Sequence, residues 1–260
     1  MTTNGPGGAR NARPLEFGNP LVRKLGRFVH LSHDDRRNVA AALSPTRNIA
    51  GRVDILEEGD DPRAVNIVLD GWACRYRHLP NGLKQIVSLL LPGDPCDLQV
   101  FRRRQVHHAV GTLTPVKLAQ IPGSAMKKLM ANSPALEEAF IRERLNATAI
   151  QQEWTVSLGR RTGIERVVHL FCEIHARLDA VGLTDEDSFP MPLTQTDMAD
   201  VIGQTSVHIN RMLQELRGMR VIDLRSRRLA ILDHAKLQTL AMFEPGYVLD
   251  DEVATSEQRR

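Results

Sequence analysis

Six arginines crowd the stretch from Thr205 to Arg228: Arg211, Arg217, Arg220, Arg225, Arg227 and Arg228. Only two acids, Glu215 and Asp223, oppose them there. A local basic patch of this kind is the electrostatic footprint of a phosphate-binding surface, although a solvated helix face carries the same charge. The residue types inside the patch are more specific. At about 100° per residue, a helix puts Ile209, Leu213 and Leu216 on one side, flanked by Met212. The other side carries Ser206, Val207, Asn210, Arg211 and Gln214. Arg211 can donate two hydrogen bonds to guanine O6 and N7. Asn210 can bond an adenine edge in the same two-point way, and Val207 can touch a thymine methyl.

Such side chains read sequence only if a scaffold aims them. Thr194 predicts a cap for a helix over Gln195–Ile202, with Asp197 completing a variant capping box. Gly203 suits a left-handed turn, and Thr205 caps a second helix to about Arg217. Ala199 is small where the two helices approach, and Met198, Ile202, Ile209 and Met212 face inward. Gln204 departs from the pattern, because an apolar residue is commoner there. Val221–Arg225 and Arg228–Leu232 flank Ser226-Arg227, a hairpin with arginine at its tip that reads as a wing. The expectation is a winged helix-turn-helix whose second helix enters the major groove of double-stranded DNA. The expected contacts are Thr194, Gln195, Thr205, Ser206, Val207, His208, Asn210, Arg211 and Gln214, with Arg227 from the wing.

Upstream, short apolar runs alternate with turn signals over residues 49–121: Val53–Leu56, Val65–Leu69, Trp72–Tyr76 and Gln85–Leu91. Strands of this length and spacing predict a sandwich or barrel. Asn81-Gly82 predicts a type I′ hairpin turn. A short helical region is expected from Pro20 to about Leu43. Ser133 and Pro134 open a long helix. In it Leu136, Phe140, Glu143, Ala147, Ile150, Trp154 and Ser157 recur at alternating spacings of four and three. That is a heptad seam, broken by Glu143, and it predicts a homodimer. The alternative is an amphipathic helix packed on its own domain. A further helix is expected from about Gly163 to Val181.

The chain of 260 residues suggests two modest domains. Apolar residues make up 42%, enough for a sizeable core, and aromatics only 4%, so that core is aliphatic. The net charge of +3 is weak evidence by itself. Three scattered cysteines, Cys74, Cys96 and Cys172, imply neither a disulfide framework nor a clustered metal site. The chain reads as reduced and cytoplasmic. Residues 1–13 lack the apolar run of a signal peptide, and no stretch of about 18 apolar residues could span a membrane. There is no glycine-rich phosphate loop, nucleophile elbow or paired metal-ligand motif, so an enzyme is not expected.

The stretch Leu193–Gly203 followed by Thr205–Arg211 resembles the winged helix of the Crp/Fnr superfamily of bacterial regulators. Glu58-Gly59-Asp60, Ile67–Gly71 and Leu91–Asp94 resemble the glycine-marked turns of that family's cyclic-nucleotide-binding β-roll. The resemblance covers about residues 21–240. It implies an α+β chain with an N-terminal β-roll (a double-stranded β-helix), a long dimerisation helix and a C-terminal winged helix-turn-helix. The expected divisions are a disordered tail over 1–19, the β-roll over 20–132, the dimer helix over 133–160, the DNA-binding domain over 161–240 and a C-terminal tail over 241–260. It further implies a homodimer on a twofold-symmetric operator, with RNA polymerase as a further partner. Ser206, Val207 and Arg211 match the family's main base-reading positions, and Val207 departs from a glutamate common there. The alternative is a β-roll module that acts by protein–protein contact.

The resemblance also places an effector pocket at Gly93, Asp94, Cys96, Asp97, Leu98, His107 and His108. The family's cyclic-nucleotide cassette ends in arginine-serine, where this chain has His107-His108 and is about one residue short. A neutral imidazole holds a phosphate poorly beside the fixed charged fork of guanidinium. Cyclic AMP and cyclic GMP are therefore not expected, unless Arg102–Arg104 supply the cation. An iron–sulfur cluster is not expected either, because residues 1–50 hold no cysteine. The effector is left open.

Overall fold

The computed structural model describes residues 18–97, 105–185 and 187–248. Leu98 and Arg102–Arg104 lie outside the described residues, as does most of the tail expected over 1–19. The last residue of that tail is structured: the Asn19 side chain accepts from the Leu21 N–H at 2.9 Å and caps helix α1, Pro20–Phe28. Leu21, Val22, Leu25 and Phe28 fall at helical spacing and are buried. A Ser32–Asp35 capping box opens α2, His33–Ala42.

Seven strands follow: β1 Thr46–Ile49, β2 Asp54–Leu56, β3 Ala64–Asp70, β4 Ala73–His78, β5 Lys84–Leu90, β6 Ala109–Thr112 and β7 Val116–Pro122. They form two antiparallel sheets, ordered β1-β7-β3 and β2-β6-β4-β5. Val68, Val116 and Leu118 from one sheet meet Ala73, Leu90 and Val110 from the other, with Cys96 between them. This is the expected β-roll. The hairpin between β4 and β5 differs from expectation. His78 pairs with Lys84, leaving a five-residue loop. Gly82 alone of the Asn81-Gly82 pair has positive φ, at 82°. The Asn81 side chain instead accepts from the Leu83 N–H at 3.1 Å.

Helix α3, Gly123–Asn132, leads into the 27-residue helix α4, Pro134–Arg160, capped by Ser133. Most of the heptad seam is buried within the single chain, as in the alternative of an amphipathic helix packed on its own domain. Leu136, Phe140, Glu143, Ile150, Trp154 and Ser157 are buried inside one chain, and Ala147 is exposed. Leu136 and Phe140 pack with α1 and β3, while Ile150 and Trp154 pack with the following helix. The physical reason is strength of burial. The bulkiest apolar residues of α4 sit on this face, and the chain's own core claims them first.

Helix α5, Gly163–Asp179, opens the C-terminal region. Then come β8 Ser188–Pro190, α6 Gln195–Ile202, α7 Ser206–Gly218, β9 Ile222–Arg225, β10 Arg228–Ile231 and α8 His234–Ala241. The three strands form a sheet of order β8-β10-β9. One apolar core runs from the outer face of β4 and β5 (Cys74, Tyr76, Ile86, Leu89) through Trp154 and Phe171 to Ile202, Leu216 and Leu229. The residues expected as a tail from 241 onward are partly structured. Phe243 and Val248 are buried, and Asn146 Nδ2 donates to the Tyr247 carbonyl at 2.7 Å. No helix among the described residues is long and apolar enough to cross a membrane.

Candidate nucleic-acid interface and effector pocket

The local geometry of α6 and α7 follows from their caps. Thr194 Oγ1 accepts from the Asp197 N–H at 3.1 Å, and Asp197 Oδ2 accepts from the Thr194 N–H at 2.8 Å. Gly203 ends α6 in the left-handed region at φ 67°. Thr205 then caps α7. Met198, Ala199, Val201 and Ile202 of α6 bury against Ile209, Met212, Leu213 and Leu216 of α7. Gln204 is half-buried, and its Oε1 lies 3.2 Å from His208 Nδ1.

The opposite side of α7 faces solvent. Ser206, Val207, Asn210, Arg211 and Gln214 line one open groove together with Gln195 of α6. Val207 is 69% exposed on this open face. Three amides run along this surface. Asn210 Nδ2 donates to Gln195 Oε1 at 3.2 Å, and Gln214 Nε2 donates to Asn210 Oδ1 at 2.9 Å. His208 is turned toward Gln204 instead.

Ser226 and Arg227 both have positive φ, 49° and 59°, which makes the wing tip a two-residue type I′ turn. The six arginines divide by role. Arg217 donates to the Leu224 carbonyl, Arg225 pairs with Asp223 at 2.9 Å and Arg228 with Asp185 at 2.7 Å. Arg211, Arg220 and Arg227 have no such partner among the described residues and remain available.

Arg52, in the turn before β2, reaches across to the DNA-binding unit. It makes two hydrogen bonds to the Asp197 carboxylate, at 2.5 and 2.7 Å. Burial alone would raise the Asp197 pKa, but Arg52 and the Thr194 bonds outweigh it and lower it. The stability this contributes is present above the ordinary carboxylate pKa and is lost as pH falls through the lowered one. Asp197→Ala is expected to cost about 1–2 kcal/mol in urea unfolding, chiefly through the lost cap. The Arg52 side chain is half exposed, so solvent screens its share. Equal stability of variant and wild type would contradict this account of the cap.

The residues expected to form an effector pocket separate into two groups. Asp97, His107 and His108 line a cavity of about 360 Å³ between the β-roll and α4. Its other walls include Arg75, Glu143, Arg144 and Gln151, which the sequence reading did not assign to it. The one available signal was Glu143, a carboxylate in an otherwise apolar seam. Burial lowers the His108 pKa, and Arg75 and Arg77 lower it further. Gly93, Asp94 and Cys96 do not line the cavity. Gly93 has φ 96°, and a Cβ there would lie 2.9 Å from the Pro20 carbonyl oxygen. Asp94 is buried in ion pairs with Lys24 and Arg177. Cys96 is in the inter-sheet core, where burial pushes its thiol up to about 12, so it is a neutral packing group. The turn resembles a ligand cassette in sequence because the same glycine also permits close backbone packing.

Residues 165–240 match the family described as Crp-like helix-turn-helix domain, and residues 47–133 match the cyclic nucleotide-binding domain. The transcriptional activator protein FnrL of Cereibacter sphaeroides is 29% identical over 189 residues, 70% of this chain and 75% of that protein. The nitrogen fixation regulation protein FixK of Bradyrhizobium diazoefficiens is also 29% identical over 189 residues, 72% of this chain and 78% of that protein. The solved structure of FixK2 from Bradyrhizobium japonicum superposes with a TM-score of 0.68 at 20% identity, covering 75% of this chain and 96% of that one. A β-roll joined by a long helix to a winged helix, in this order and with these matches, identifies the chain as a member of the Crp/Fnr superfamily of transcriptional regulators.

Proposed function

We propose that the protein reads a twofold-symmetric DNA operator as a homodimer, with α7 in the major groove and the wing on the backbone. The observation that carries this reading is the division of α7. Its inner side is buried, while Ser206, Val207, Asn210, Arg211 and Gln214 stand together on an open surface. Thr194, Gln195 and Thr205 lie at the two helix N-termini, where backbone N–H groups favour phosphate. Selection of bound sites from random duplexes tests it. The account expects an enriched inverted repeat, and recovery of unenriched sequence would contradict it.

The dimer face we assign is the exposed side of α4. Ile141, Leu145, Thr148, Gln152, Thr155 and Gly159 recur at spacings of four and three. They fall on the side opposite Ile150 and Trp154. Ile141, Leu145 and the neighbouring Val156 are 48%, 63% and 50% exposed in the single chain, an apolar stripe that a second copy would cover. Contact with RNA polymerase is part of the same proposal, as the step that follows operator binding.

The cavity beside α4 is the effector site in this reading. Among the described residues its lining has no arginine-serine pair, and Arg75 Nη2 is committed to the Cys96 carbonyl at 2.7 Å. Calorimetry is expected to show no binding of cyclic AMP or cyclic GMP at micromolar concentrations. A micromolar or tighter Kd for either would overturn this part.

A further inference from the structure

A single buried ionic chain joins the cavity wall to the DNA-binding unit. Glu143 lines the cavity from α4. Its Oε1 accepts from Lys24 Nζ of α1 at 2.7 Å. Lys24 also donates to Asp94 Oδ1 at 2.5 Å. Arg177 of α5 donates to Asp94 Oδ2 at 2.6 Å and to Glu173 Oε1 at 3.1 Å. Glu173 in turn accepts from Trp154 Nε1 at 2.8 Å and from the Tyr247 hydroxyl at 3.3 Å.

The charges do not balance. Within this hydrogen-bonded chain two cations, Lys24 and Arg177, meet three carboxylates, Asp94, Glu143 and Glu173, so full ionisation leaves the chain itself with one excess negative charge. A buried charge without a hydrogen-bonded counter-ion is unfavourable, and one proton removes it. The hydrogen bonds decide where that proton sits. Asp94 accepts from Lys24, Arg177 and the Leu91 N–H, and Glu173 accepts from three donors. Glu143 has one donor, and its Oε2 has no partner among the described residues. Burial pushes the Glu143 carboxyl up to about 7; it raises Glu173 as well, but there Arg177 and the bonds from Trp154 and Tyr247 oppose it, whereas Glu143 has Lys24 as its one donor. Burial alone would raise Asp94 too, but Lys24 and Arg177 outweigh it and hold Asp94 below the usual carboxylate range.

We propose that Glu143 is a proton-linked relay: the occupant of the cavity sets its protonation, and Lys24, Asp94 and Arg177 pass that state to α5 and so to the helices that hold α7. On the cavity side Glu143 is faced by Arg75 of β4, by Asp97, His107 and His108, and by its helix neighbour Arg144. On the inner side it is faced by Lys24, Asp94 and Arg177. Oε2 is closed off from solvent, so the cavity's occupant acts on it through its charge: a cationic effector favours the carboxylate and draws the proton off. An anionic effector keeps it on. Ionised Glu143 competes with Asp94 for Lys24, which alters the partner that anchors Arg177. The relay to DNA rests on the operator-binding reading above.

The test uses the full chain and Glu143→Gln, which fixes the neutral form. Titration into a selected duplex at pH 6 and pH 8 is expected to change the wild-type Kd by about threefold or more, and the variant's by much less. A variant that keeps the wild-type pH response overturns the relay, as does a wild type with none. Thermal melts test the proton site separately from DNA. A carboxyl with a raised folded pKa contributes stability below its unfolded pKa, and that stability is lost as pH rises through about 7. The wild type should therefore lose Tm relative to Glu143→Gln between pH 5 and pH 7.5. Burial lowers His169 to about 4, which gives the opposite slope, but both proteins carry it and the difference cancels it. Parallel curves overturn the proton site. Should the variant fail to fold, carboxyl ¹³C NMR of the wild type decides: a Glu143 midpoint near 7 supports the proposal and one below 5 overturns it. A wild type that binds no duplex at any pH defeats the operator-binding reading, and the melts still judge Glu143.

Discussion

Leu145→Asp is expected to yield a folded monomer. Leu145 lies on the exposed stripe of α4 and is 63% exposed, so in the single chain the aspartate meets mostly water. In the dimer it would be an unpaired buried charge, which costs about 3–5 kcal/mol. The twofold axis places a second copy in the same interface. A rise of roughly a thousandfold or more in the dimer Kd follows from the two charges together. Ile150→Asp should behave differently. Ile150 is buried within its own chain beside Trp154, so the charge strikes the fold, and the melting temperature drops along with any dimer. Sedimentation velocity and thermal melts on both variants separate the two faces. A wild type that is monomeric at micromolar concentration would contradict the assignment, as would a Leu145→Asp protein that stays dimeric.

Arg211→Ala and Arg227→Ala should fail in different ways. Arg211 is on the open face of α7, one turn in from Thr205, within reach of base edges. Its loss should cost about 1–3 kcal/mol at the operator, relax the preference at one base pair per half-site and leave random duplex binding nearly unchanged. Arg227 is at the wing tip, where phosphate is the expected partner. Its loss should weaken operator and random duplex alike and lower the salt slope by about one per arm. Titrations of both variants against operator and scrambled duplex at several salt concentrations measure this. If Arg211→Ala weakens both duplexes equally, α7 is not reading sequence through that side chain.

The helix-turn-helix could be read from its residues because its determinants are local. A threonine with an aspartate three positions on, a glycine at the turn and a second threonine fix two helices and their angle without help from distant chain. The wing was equally local, since Ser226-Arg227 sets its own turn. The faces of α4 were not local. Two stripes on that helix share the four-and-three spacing, one through Leu136, Phe140, Ile150 and Trp154, the other through Ile141, Leu145, Gln152 and Gly159. Spacing names a face but not its partner. The larger side chains went to the chain's own core, leaving the weaker stripe outside. The turn at Gly93-Asp94 misled for a related reason. It reads as a ligand cassette, but Asp94 is bound by Lys24 and Arg177, two cations that are 70 and 83 residues distant in sequence. The same long-range pairing explains why Glu143 read only as a flaw in an apolar seam.

The most direct test of sequence reading by a dimer is titration of the wild type against an intact selected operator and against the same duplex with one half-site scrambled. Each mismatched base pair costs about 1–3 kcal/mol, so the loss of a half-site should weaken binding by roughly a hundredfold or more. The intact site should bind one dimer with both halves protected from cleavage. Equal affinity for the two duplexes, or protection of a single half-site on the intact one, would contradict the account.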